Sequence, residues 1–116
     1  MAQADPTGPL PPHTFHVLLV LSEAPAHGYG IKKEVQERTG GRIDLDAGGL
    51  YRMIARMEEQ GWVEPVTAPA HADDARRKYY ALTAEGRRVL AEEAARLTAL
   101  AGSPDVVALA REGRAG

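Results

Sequence analysis

Between Asp46 and Leu82 the apolar spacing changes period once, and that change limits the folds open to the chain. Leu50, Met53, Ile54 and Met57 fall at i, i+3, i+4 and i+7, with Asp46 placed to cap a helix and Gly61 placed to end it. Residues 62–66 and 77–82 then alternate like two short strands able to pair antiparallel. The loop between them, residues 67–76, is longer than a tight turn, and Pro69, Asp73 and Asp74 mark it as solvated.

The flanking segments keep a helical period. Phe15, Leu18, Leu19 and Ser22, widened by Val17, Val20 and Leu21, predict a buried first helix from about Thr14, its N-cap, to Glu23, with Pro25 beyond its end. A second helix begins near residues 27–29 and ends at Gly40-Gly41, with Ile31 and Val35 inside and Lys32, Lys33, Gln36 and Glu37 outside. Gly28 and Gly30 bracket Tyr29 and predict close backbone packing there; a dinucleotide site would need a third glycine and a preceding strand. Thr83 caps a long helix from Ala84 to about Ala101, on which Leu90, Ala94, Leu97 and Ala101 keep a heptad-like spacing. A short amphipathic piece follows at residues 105–111.

Composition sets the boundaries. At 116 residues one domain is expected, with an aliphatic core, since Trp62, Phe15 and four tyrosines are the only aromatic volume. The absence of cysteine excludes disulfides, zinc–cysteine sites and a thiol switch. A formal charge of -2 advertises no nucleic-acid or membrane partner, so any basic surface must arise by local segregation. Residues 1–12 lack positive charge and read as a disordered leader rather than a signal peptide. The apolar run 15–21 is too short to span a bilayer, and a cytoplasmic protein without a membrane partner is expected.

Three helices followed by a hairpin is the order of a winged helix-turn-helix, a mainly α (α+β) fold whose third helix enters the DNA major groove. Residues 13–83 would form that domain and residues 84–116 a C-terminal dimerisation helix and tail. Arg52 and Arg56 leave one helix face and could fork onto a guanine edge or clamp a phosphate. Gly48 and Gly49 sit in the first helical turn, where amide groups and the dipole favour an anion. Lys32 and Lys33 suit backbone neutralisation, and Arg76, Arg77 and Lys78 lie at the base of the two-stranded wing. Acidic residues match the basic ones in number over residues 27–82, so topology carries this reading more than charge does. Leu90, Ala94, Leu97 and Leu100, with Phe15, are candidates for a partner surface, because a small core cannot cover them all. Tyr29 and Tyr80 read as packing residues, whereas Tyr51 lies beside the exposed arc of Arg52.

Catalysis finds no support. His13, His16, His27 and His71 show no metal-binding spacing with one another or with Asp44 or Asp73, and neither a nucleophile elbow nor a P-loop occurs. The rival to DNA binding is a winged helix used only for protein contacts.

Four motifs in order, His27-Gly28-Tyr29-Gly30-Ile31, Gly49-Leu50-Tyr51-Arg52, Glu58 to Val63 and Arg77 to Gly86, resemble the PadR family of bacterial transcriptional regulators, over about residues 15–100. The short tail resembles the small subtype with one C-terminal helix. The resemblance implies a repressor that dimerises through that helix and binds a pseudo-palindromic promoter element in double-stranded DNA. It also implies that Tyr51 and Arg52 open the recognition helix and that Tyr80 and Leu82 anchor the wing. At Gly49 the family usually carries threonine or serine, so a phosphate-facing hydroxyl is absent here. With Trp62, the resemblance suggests a small aromatic effector at the dimer cleft; no cofactor is implied.

Overall fold

The computed structural model describes residues 9–72, 74 and 76–115. Most of the expected leader (residues 1–8), Asp73 and Gly116 of the tail lie outside the described residues. The elements are α1 (Pro12–Leu21), β1 (Ala26–His27), α2 (Gly28–Arg38), α3 (Ala47–Glu59), β2 (Val63–Val66), β3 (Tyr79–Leu82), α4 (Ala84–Ala101) and α5 (Pro104–Ala115). Together they make a mainly helical winged helix-turn-helix with a small antiparallel sheet.

Local chemistry explains the boundaries. Helix α1 begins earlier than the Thr14 cap expected, because Pro12 takes the first helical position, where its fixed φ suits the helix and its missing N–H costs nothing. Apolar on most sides, it buries Val17, Leu18, Val20 and Leu21. Helix α2 ends in a Schellman motif: Gly40 and Gly41 both have positive φ, and their amides bond back to Glu37 and Gln36. The same motif closes α3, with Gly61 at φ 81° and the Trp62 amide 2.9 Å from the Met57 carbonyl. Trp62 is thereby turned inward beside Met57, and both are buried.

The sheet has three strands in the order β1-β3-β2. Strands β2 and β3 form the expected wing, with Val63 opposite Leu82 and Val66 opposite Tyr79. Strand β1, which the sequence reading did not foresee and of which it placed only His27 at the helix start, pairs Ala26 with Tyr80 and His27 with Tyr79. Val17, Leu18, Ile31, Val35, Leu50, Ile54, Met57 and Val89 form the centre of the core. Leu90 joins them, so one dimerisation candidate is spent inside its own chain. Phe15 also packs against this core, partly buried. The piece expected at residues 105–111 is the longer helix α5. Among the described residues no helix is long and apolar enough to cross a membrane.

A buried carboxylate ties the start of the chain to α4. Glu93 is only 3% exposed and receives two bonds from the Arg96 guanidinium, at 2.9 and 2.6 Å, and one from the Leu10 amide at 3.3 Å. The guanidinium first, then the amide, hold its carboxyl below the usual glutamate value against the opposing cost of desolvation. A depressed folded-state pKa gives a contribution that is complete above the unfolded value, about 4.3, and is lost as pH falls through the folded one. Acid unfolding of a Glu93→Gln variant should therefore show a flatter stability–pH curve below about pH 4 than the parent. Parallel curves in urea titrations at several pH values would contradict it.

Candidate nucleic-acid interface

The outer face of α3 follows from its inner one. With Leu50, Ile54 and Met57 buried, helical geometry turns Gly48, Arg52, Ala55 and Glu59 toward solvent. Arg56 is also exposed but leans to one flank, where it borders a groove of ≈ 210 Å³ with Leu10, Pro11, Thr14, Met53 and Trp62. Among the described residues neither Arg52 nor Arg56 has a carboxylate partner. Lys33 is likewise exposed and unpaired.

Two expected contacts are already taken. The Gly49 amide donates to the Asp46 carboxylate at 3.1 Å, so the anion position at the start of α3 is filled by the capping side chain. The Gly49 amide thus serves an internal cap in this structure, and Gly48 stays exposed beside the Arg52 guanidinium. Lys32 is bound to Asp44 at 2.6 Å, which ties α2 to the segment entering α3 and takes that charge from the solvent-facing set.

The start of α2 carries an aromatic array that sequence reading missed. His27 Nδ1 accepts from the Gly30 amide at 3.0 Å, capping the helix with a neutral ring protonated at Nε2. The His27 ring meets Tyr79 edge-on, centroids 5.2 Å apart, and lies nearly parallel to Tyr29 at 6.4 Å. Tyr29 is 57% exposed, which corrects its reading as a packing residue. Its offset of two residues from the buried Ile31 could have shown this, since that places it on the far side of the helix. Close packing at the glycines is as expected: a Cβ at Gly28 would lie 2.5 Å from the Tyr51 hydroxyl, so Tyr51 crosses from α3 onto the start of α2.

The wing supplies the remaining cations. Arg77 lies over the Tyr29 ring, 5.3 Å from its centroid, and Lys78 over Tyr80 at 5.7 Å. Tyr80 is buried, and that burial, with the Glu58 charge, raises its phenol above the ordinary value and keeps it neutral. Asp74 faces Arg76 and Arg77 at 3.4 Å each. Arg52, Tyr51, Tyr29 and Arg77 thus follow one another across α3, the start of α2 and the wing.

A model of the "Transcriptional regulator PadR-like family" matches residues 17–92. The chain belongs to this PadR-like family. A protein of 37.1 kDa in a transposon of Streptomyces fradiae is 34% identical over 86 residues, 74% of this chain and 23% of that protein. The chain spans less than a quarter of that relative's length. A PadR family transcription regulator from Clostridium difficile is 27% identical, with a TM-score of 0.66 over 76% of this chain and 88% of the other. RosR of H. salinarum is 27% identical, with a TM-score of 0.61 over 91% of each chain. Both PadR signatures on the α2 and α3 starts, around Tyr29 and Tyr51, thus fall within the matched region. PadR family members are transcriptional regulators and not enzymes.

Proposed function

We propose that this PadR-like chain binds double-stranded DNA as a homodimeric, cytoplasmic repressor, with α3 in the major groove and the wing beside it. The observation that carries this reading is the unpaired Arg52 on the outer line of α3, with Arg56 on its flank and, through Tyr51 at the start of α2, Tyr29 and Arg77 of the wing nearby. Lys33, Gly48, Tyr51, Arg76 and Lys78 would position the backbone around it. The dimer surface runs along the second half of α4, where Ala94 and Leu97 are half-buried and Leu100 is 51% exposed. Helix α5 extends it with Leu109, 64% exposed. Two copies would read half-sites of a pseudo-palindromic element about one helical turn apart.

An effector reading is supported by Trp62. Expected at a dimer cleft, its side chain is instead buried and forms part of one wall of the ≈ 210 Å³ groove beside Arg56, so a small aromatic ligand there would touch the recognition helix and could release DNA. The second reading, a protein-contact module, draws on Asp46 and Asp44, which take up one amide and one cation of the expected interface.

Fluorescence anisotropy with duplex from upstream of the chain's own gene, against a scrambled duplex at two salt concentrations, separates the two. Selective binding that weakens steeply with salt is expected, because each neutralised phosphate releases counterions. Equal, salt-insensitive binding to both duplexes would favour protein contacts.

A further inference from the structure

We infer that Tyr29 is a positioning residue that clamps Arg77 of the wing to the start of α2, so that wing and helix-turn-helix present their cations in one fixed geometry. The inference rests on the DNA-binding reading above. Residues 67–78 form a long connection between β2 and β3, and an arginine side chain at its base would ordinarily sample many rotamers. Arg77 is instead held on two sides. Its guanidinium lies over the Tyr29 ring at 5.3 Å, and its Nε lies 3.4 Å from the Asp74 carboxylate. Among the described residues Asp74 is the one carboxylate paired with it, and a guanidinium with five N–H donors keeps donors to spare for a phosphate.

The ring that holds it is itself fixed. Tyr29 stacks on His27, His27 meets Tyr79 edge-on, and the backbones of His27 and Tyr79 pair across β1 and β3. The array therefore runs from the buried inner strand of the wing, through the α2 cap, to the guanidinium. Tyr29 has no other evident packing duty, since more than half its surface faces solvent.

The test is a double-mutant cycle on operator affinity, with Tyr29→Phe, Tyr29→Leu, Arg77→Ala and the Tyr29→Leu/Arg77→Ala pair in the full chain. Tyr29→Phe keeps the ring face and should bind like the parent. Tyr29→Leu should weaken binding about two- to fivefold for each engaged wing, and much less once Arg77 is alanine. Tyr29→Phe as damaging as Tyr29→Leu, or fully additive losses, would overturn the clamp in favour of a direct tyrosine contact. Unchanged affinity in Tyr29→Leu would overturn it too. A second readout needs no DNA: the Arg77 guanidinium protons should show an upfield ring-current shift in NMR spectra of the free protein, lost in Tyr29→Leu. Its absence overturns the clamp alone, whereas parent protein that ignores DNA overturns the functional reading beneath it.

Discussion

Replacing Gly86 with alanine should destabilise the protein more than any other single-methyl addition in it. A Cβ there would run into the Trp62 carbonyl oxygen and lie 2.8 Å from the Leu82 side chain. The first neighbour is backbone and cannot swing aside. It also accepts the Thr83 amide at 2.9 Å, and the Thr83 hydroxyl reaches the Gly61 carbonyl while capping α4 through the Gly86 amide. Moving α4 outward to admit the methyl would strain this whole junction between the α3 end, the wing and α4. Overpacking of this kind costs about 1–3 kcal/mol, and more where backbone must shift. Chemical denaturation of Gly86→Ala should show a midpoint well below the parent's, with the same slope. A midpoint equal to the parent's would mean that α4 does not sit this close.

The largest functional loss should come from Arg52→Ala. Its side chain lies on the outermost line of α3 and has no acidic partner among the described residues, so truncation disturbs nothing inside the protein. If Arg52 reads a base, operator affinity should fall by about 1–3 kcal/mol and sequence choice should relax at that position. Arg56→Ala should differ in kind. On the flank beside Leu10, Pro11 and Met53, it is better placed for the backbone, and its loss should weaken all duplexes alike and lower the salt slope. Titrations against operator and scrambled DNA at several salt concentrations separate these outcomes. Unchanged binding in both variants would remove α3 from the interface.

Much of this architecture was legible because its boundaries are chemical. Asp46, Gly61 and Thr83 mark the ends of α3 and the start of α4 whatever surrounds them, and α4 runs over Ala84–Ala101 as its capping threonine predicts. Strand β1 was not legible: two residues cannot display a period, and the pairing of Ala26 and His27 depends on β3 lying alongside. The interface was readable as a set of elements but not as a set of free groups. A capping carboxylate at Asp46 and a vacant amide at Gly49 exclude each other, and only geometry shows that the cap prevails. Lys32 finds Asp44 across a turn, and Leu90 finds the core, because partners distant in sequence decide which charges and methyl groups remain outside. The heptad-like spacing of α4 marks an apolar stripe without saying which chain will cover it.

The strand order β1-β3-β2 leaves little sheet edge through which copies of this chain could pair. The Thr83 amide bonds the Trp62 carbonyl, so the alternation of the ladder turns the amides of Val63 and Pro65 away from β3. One of those two is proline and has nothing to donate. At the opposite border β1 offers only two residues. Both rims are therefore poor templates for another strand, which guards a crowded solution of this protein against fibrous stacking and leaves the proposed dimer to the helices.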